Sequence, residues 1–179
     1  MHLSWLYFIL SFALTIVAIP VKSGSVEEDG NRVRCGVVAF QPNGNVWMVE
    51  SKKDGYILPK GGYDTDKDRS WADCVYREAQ EEAGVVVDRD SIQSLNVNDG
   101  ATHWFKATAL SHGERTDPTL ADRAPPIEVT VKQAWKKLEF SRKDKEDKKA
   151  GMKMALHAAT LRHGGGSSKE DTPHRTSSI

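Results

Sequence analysis

The chain has 179 residues, 39% hydrophobic and 28% charged, enough for one globular domain and too few for two. Its 25 Lys and Arg residues balance 25 Asp and Glu residues. A net charge of zero excludes nucleic-acid binding through bulk charge but leaves room for a local basic pocket.

Residues 3 to 19, LSWLYFILSFALTIVAI, are an apolar run followed by Pro20, Lys22 and small residues at Ser23 to Ser25. This pattern reads as a secretory signal peptide, with Val21 and Ser23 three and one before a cut ahead of Gly24. As a membrane anchor the run is barely long enough and its positive flanks are weak. The expected organisation is a signal peptide at 1–23, a flexible linker at 24–30, a folded domain at 31–163 and a disordered tail at 164–179, with no stable membrane association after cleavage.

VRCGVVAF (33–40) and NVWMVES (45–51) are strand-like runs, and the Pro and Asn-Gly of QPNG between them predict a hairpin. A short strand at 56–58 leads to Pro59, Lys60 and the pair Gly61–Gly62. Ser70 is the expected N-cap of a helix over 71–83, with Asp73 reaching Arg77 one turn on and Gly84 as the stop. Trp71, Val75 and Ala79 lie on the face of that helix that should pack on a sheet. Further strands are expected at 85–88, 92–97 and 102–110, then a long loop from Ser111 to Pro126. IEVTVKQAWKKLEF reads as a strand passing into a short helix capped by Thr130. A last helix from Ser141 becomes amphipathic at Met152, with Met154, Leu156, Ala159 and Leu161 available to pack. Strands mixed with three helices and no internal repeat predict an α/β sandwich.

Two cysteines are fewer than small disulfide-dependent secreted domains carry. Cys35 in a strand and Cys74 in a helix are each expected as a small buried apolar residue. An export signal on such a core points to work in another reducing compartment, such as the inside of a host cell.

Glu78, Glu81 and Glu82 stand at helical offsets of three and four, so their carboxylates converge. Like charges held together raise one another's pKa, and a divalent cation removes that cost. An all-oxygen site suits Mg²⁺ or Mn²⁺, which keep waters and share positions with substrate phosphates. Taken alone, EAQEE reads as a solvated acidic stripe; its flanks decide otherwise.

Those flanks, a glycine pair followed by REAQEEAGV, resemble the Nudix box, G-x5-E-x7-REUxEExGU with U aliphatic. Arg77, Glu78, Ala79, Glu81, Glu82, Gly84 and Val85 match its second half. The first half departs from it. With Gly61 as the opening glycine, Arg77 comes two residues late and the first glutamate falls on Lys67; counting back from Arg77 puts Tyr63 and Arg69 at those places. Asp66 or Asp68 could replace the lost glutamate, which in the family supports the metal site and the box arginine.

The resemblance implies the Nudix fold, a mixed β-sheet sandwiched between α-helices, over about residues 31–162. It also implies Mg²⁺ or Mn²⁺ held by Glu78, Glu81, Glu82 and the carbonyl of Gly61, with Glu81 or Glu82 as general base and Arg77 orienting a box carboxylate. ILPKGG and VTVKQAWKKL look most like the diphosphoinositol polyphosphate phosphohydrolases, some of which take dinucleoside polyphosphates or remove 5′ caps from RNA. By that likeness the substrate phosphates meet Arg32, Arg34, Ser51, Lys52 and Lys53, with Lys60, Gly61 and Gly62 beside them. Tyr63, following the glycines in a polar loop, is the best candidate platform for a base, ahead of Trp47, Tyr56, Trp104 and Phe105.

The overall plan is similar to that of secreted Nudix effectors of rust-type plant-pathogenic fungi. The neutral charge and the available aromatics favour capped RNA as substrate. Diphosphoinositol polyphosphates or dinucleoside polyphosphates are the alternative, and a non-catalytic module binding a phosphate ligand or a host protein is the alternative of another class.

Overall fold

The computed structural model describes residues 24–139 and 146–163. The expected signal peptide, residues 140–145 and the expected tail lie outside this range. In chain order the elements are β1 (Glu27–Glu28), β2 (Asn31–Arg32), β3 (Arg34–Phe40), β4 (Val46–Ser51), β5 (Gly55–Ile57), β6 (Lys60–Gly62), α1 (Trp71–Ala83), β7 (Val85–Val87), β8 (Gln93–Asp99), β9 (Thr102–His112), β10 (Ile127–Val129), α2 (Val131–Glu139) and α3 (Glu146–His163).

β3 decides the architecture. Six of its seven residues are buried, and a strand apolar on both faces must lie inside a sheet covered on both sides. It pairs in parallel with β9 along its whole length, antiparallel with β6 at its start and with β4 at its end. The path through the eight-stranded mixed sheet is β10-β4-β3-β9-β7, with β5 on β4, β6 on β3 and β8 on β9.

Alternation along β3 sends Cys35, Val37 and Ala39 to one face, where they pack with Val75, Ala79 and Ala83 of α1. Val38 and Phe40 face the other way, toward Leu138 of α2 and Met152, Leu156 and Ala159 of α3. Gly36 lies between them because a Cβ there would fall on the Trp104 ring. The result is the expected sandwich: one mixed sheet, with α1 on one side and α2 and α3 on the other.

Local signals act where expected. Gly44, at φ 82°, closes the β3–β4 hairpin, with its N–H donating to the Gln41 carbonyl. Ser70 accepts from the Asp73 N–H at the start of α1, and Gly84, at φ 64°, ends it. Thr130 Oγ1 accepts from the Gln133 N–H ahead of α2.

Four expectations are corrected. Residues 24–30, read as a linker, carry β1, which pairs with β2, and Ser25 bridges to Asp64. Lys60–Gly62, where no strand is expected after 56–58, is a strand. In α3 the buried stripe is Met152, Ala155, Leu156 and Ala159, the i, i+3, i+4, i+7 set, so Met154 and Leu161 point to solvent at 58% and 67% exposure. Finally, Cys35 and Cys74 form a disulfide with a Cα–Cα separation of 6.2 Å. Strand alternation turns Cys35 toward α1, and helical phase turns Cys74 toward β3. The bond ties the box helix to the central strand, and it removes the two separate buried thiols on which a reducing workplace had been read.

Candidate active site

The glycine pair works by its alternation. β6 runs between α1 and the basic segment around Arg32, and its two glycines face opposite ways. A Cβ on Gly61 would fall on the Glu78 carboxylate, and one on Gly62 would fall on the Arg32 guanidinium. The strand can therefore carry a carboxylate against one face and a cation against the other only because neither residue has a side chain.

Arg77 organises the acidic helix. Its Nε and Nη2 donate to Asp68 at 2.8 and 2.6 Å, Nη1 donates to Glu78 at 2.6 Å and Glu81 at 2.9 Å, and Nη2 also donates to the Gly62 carbonyl at 2.8 Å. Asp68, fully buried at its side chain, therefore takes the role left open between Asp66 and Asp68: it is the carboxylate that braces the box arginine. The expected Asp73–Arg77 contact does not form. Asp73 pairs instead with Arg89 at 2.5 Å, because Arg77 is already saturated from the β6 side. Burial pulls the Arg77 pKa down, but the bonds to Asp68 and the charges of Glu78 and Asp68 outweigh it, and the net shift is upward.

The three glutamates are not equivalent. Glu78 is buried, and burial raises its pKa against the opposing pull of Arg77. Glu82 accepts the Lys60 backbone N–H at 2.9 Å, and burial, with Glu78 adding to it, pushes its pKa up to about 7. Glu81 sits at the rim, bonded to Arg77 and 3.7 Å from Lys67 Nζ. No ready-made group of three His, Cys, Asp or Glu ligands is present among the described residues. The donor set nonetheless fits a hard divalent ion: one buried and one half-buried carboxylate, both harder to ionise than in water, beside a strand stripped of side chains at Gly61. Glu78 and Glu82 would hold such an ion, with Glu81 joining from the rim.

A cavity of about 510 Å³ opens on the other face of β6, toward α3, lined by Arg32, Arg34, Ser51, Lys60, Lys149 and Asp99 among others and by no residue of α1. Lys60 joins the two regions, since its backbone holds Glu82 and its side chain lines the cavity. Burial lowers the Lys60 pKa and the nearby Arg34 lowers it further. The expected phosphate contacts Arg32, Arg34, Ser51 and Lys60 thus come together. Lys52 and Lys53 do not; they are exposed in the β4–β5 turn and line no part of the cavity.

The aromatics expected as a platform lie apart from this cavity. Tyr63 packs on Trp71, with ring centres 4.9 Å apart, Tyr56 lies under Lys137, and Trp47, Trp104 and Phe105 are core. None of the five lines the cavity.

The structure adds residues that sequence reasoning missed. Lys149, only 2% exposed, reaches the cavity from α3 and donates to the Lys137 carbonyl. Asp54 and Asp99 place carboxylates among the cations. Arg123, on the loop between β9 and β10, acts by its charge on Glu82 and reaches the Glu50 carbonyl at 3.5 Å. That loop is pinned by Glu50, whose Oε2 accepts the Ala124 N–H at 2.7 Å.

Sheet, braced carboxylate helix and glycine strand together define an α/β sandwich of the Nudix class. The chain belongs to the NUDIX domain family, whose sequence model matches residues 30–152. Among its relatives is an RNA pyrophosphohydrolase of Stenotrophomonas maltophilia, 30% identical over 92 residues, covering 50% of this chain and 43% of that protein. Another is an RNA pyrophosphohydrolase of Xanthomonas campestris pv. campestris, 26% identical over 117 residues, covering 65% of this chain and 51% of that protein. The chain thus spans about half the length of the relatives it matches. A solved NUDIX hydrolase from Nitrosomonas europaea shares the fold, with a TM-score of 0.50 at 15% identity over 74% of this chain and 88% of that one.

Proposed function

We propose that this protein is a divalent-metal-dependent hydrolase that cleaves a phosphoanhydride bond at the capped 5′ end of RNA. The observation that carries the reading is Lys60, whose backbone N–H holds Glu82 on one side of β6 while the residue lines the basic cavity on the other. Bound Mg²⁺ or Mn²⁺ supplies charge neutralisation on the phosphate oxygens and a lowered pKa for an attacking water. Glu78 would hold the cation. Arg77 fixes Glu78 and Glu81 in place. We assign the general base to Glu82, which accepts the Lys60 backbone N–H, rather than to Glu81, which is engaged by Arg77 and Lys67. Arg32, Arg34, Lys60 and Lys149 receive the phosphates of the substrate and of the leaving group.

Two considerations favour an RNA end over an inositol pyrophosphate. The relatives named above are RNA pyrophosphohydrolases, and the carboxylates of Asp54 and Asp99 in the cavity oppose a densely phosphorylated ring. The four cations keep the diphosphoinositol polyphosphate reading, with dinucleoside polyphosphates beside it, as the second choice. A non-catalytic module is disfavoured because a binding protein gains nothing from holding two carboxylates whose pKa values burial raises.

We further propose that the protein is exported and acts within a host cell as an effector. The apolar run at residues 3–19 supports export, and the Cys35–Cys74 disulfide suits passage through an oxidising compartment. Capped RNA is an intracellular substrate, so an exported enzyme of this kind meets it inside another cell. The test of substrate is direct: the protein from Gly24 onward is incubated with Mg²⁺ or Mn²⁺ and, separately, capped RNA, diadenosine polyphosphate and diphosphoinositol polyphosphate. Fastest turnover of capped RNA is expected; fastest turnover of the inositol compound would replace this reading with the second.

A further inference from the structure

The proposed reaction leaves one feature of the cavity without a use. Asp99 ends β8 at the turn into β9, where Gly100 takes φ 56°. It is held from behind by α3, because Gly151 packs so closely that a Cβ there would fall on the Asp99 side chain. Its carboxylate lines the cavity, half-buried, and accepts no hydrogen bond from the described residues; Lys60 acts on it only through charge. A fixed carboxylate in a cavity built for phosphates lowers affinity for any all-anionic ligand. It contributes only to a ligand that also brings hydrogen-bond donors.

Among the bases of RNA, guanine presents two adjacent donors, N1–H and the 2-amino group, spaced to meet the two oxygens of one carboxylate. Adenine presents its amino group beside the N1 lone pair, which repels a carboxylate oxygen. Ile57 and Met152 add apolar wall to the same cavity, and its volume of about 510 Å³ lies in the range of nucleotide-sized ligand sites.

We propose that Asp99 determines base specificity, accepting the N1–H and 2-amino protons of a guanine whose phosphates lie along Arg32, Arg34 and Lys60. The assignment rests on the RNA 5′-end reading above and adds to it the base and the residue that selects it.

The test compares kcat/KM for diguanosine, di-inosine and diadenosine triphosphate with Mg²⁺ in the wild type, Asp99→Ala and Asp99→Asn, each checked by thermal melting. The wild type should prefer the guanosine compound over the adenosine compound by about 10- to 100-fold, with inosine, which lacks the 2-amino group, in between. In Asp99→Ala the ratio should fall to near one, through a rise in KM for the guanosine compound, and Asp99→Asn should be intermediate because it keeps one acceptor. Turnover without base preference in the wild type, or a preference that survives in both variants, overturns the role of Asp99 and leaves the hydrolase reading standing. A wild type that cleaves no nucleotide substrate overturns both.

Discussion

The guanidinium of Arg77 and the carboxylate of Asp68 meet as a two-pronged fork, at 2.8 and 2.6 Å, with Asp68 fully buried at its side chain and Arg77 17% exposed. Through this fork the loop after the glycine strand holds the residue that in turn holds Glu78 and Glu81. Asp68→Asn should break the fork without changing its shape. Removing one partner of a buried pair costs about 3 kcal/mol, and a braced carboxylate site that loses its support falls about 10- to 100-fold in activity or metal affinity. Urea unfolding and Mn²⁺ titration would read the two effects, and Asp68→Glu should recover part of each.

The glycine pair yields a contrast between neighbours. Gly61→Ala drives a methyl group into the enclosed Glu78 carboxylate, whereas Gly62→Ala meets the far end of the exposed Arg32 side chain, which can swing away. Activity should fall at least about 100-fold in the first, given that a displaced carboxylate no longer shares the cation with Glu82, and only a few-fold in the second. Steady-state rates of the two variants at saturating Mg²⁺ check this. Equal losses would mean that the opposite-facing arrangement of the two glycines does not matter.

The disulfide joins residues 39 apart in sequence. Closing a loop of that length restricts the unfolded chain by about 4 kcal/mol in the chain-entropy account. Reduction, or the double change Cys35→Ala and Cys74→Ala, should lower unfolding free energy by about 2–4 kcal/mol, read from urea midpoints with and without a thiol reductant. Cys74 is one helical turn from Glu78, so the reduced protein should also bind Mn²⁺ more weakly.

Glu82 makes the metal-free protein sensitive to pH. Its pKa is pushed up from 4.5 to about 7 by burial, with the Glu78 charge adding to it. The folded state therefore binds this proton more tightly than the unfolded state, and stability falls as pH rises from about 4.5 through 7. The full penalty is about 3 kcal/mol once pH exceeds the folded pKa. Unfolding free energies in a chelator between pH 5 and 8 should show this decline, and Mg²⁺ added at pH 8 should reverse part of it, because the cation favours the ionised carboxylates. A Glu82→Gln variant should show a flatter profile.

What was legible in the sequence was what short-range rules encode. The limits of α1, its Ser70 cap and its Gly84 stop follow from neighbouring residues, and so do the offsets of Glu78, Glu81 and Glu82. Arg32 and Arg34, two apart around the buried Val33, share a side of the chain by local alternation. The rest depends on which elements meet. Cys35 and Cys74 carry no spacing signal, since one obeys a period of two and the other a period of 3.6, and only the packing of α1 on β3 brings them together. Lys149, Asp99 and Arg123 come to the site from α3, a hairpin turn and a long loop. The same holds for the aromatics: Tyr63 follows the glycines in sequence, yet its ring packs on Trp71. Met154 and Leu161 are apolar and available to pack, yet Met152, Ala155, Leu156 and Ala159 already fill the buried stripe.

The central claim is that the glutamates of α1 perform hydrolysis at a phosphoanhydride. Single-turnover cleavage of 5′-capped RNA at saturating Mg²⁺, wild type against Glu82→Gln, tests it most directly. The substitution keeps the shape of the side chain and removes its ability to accept a proton, so the rate should fall by about 10²- to 10⁴-fold. A rate in Glu82→Gln equal to that of the wild type would contradict the account.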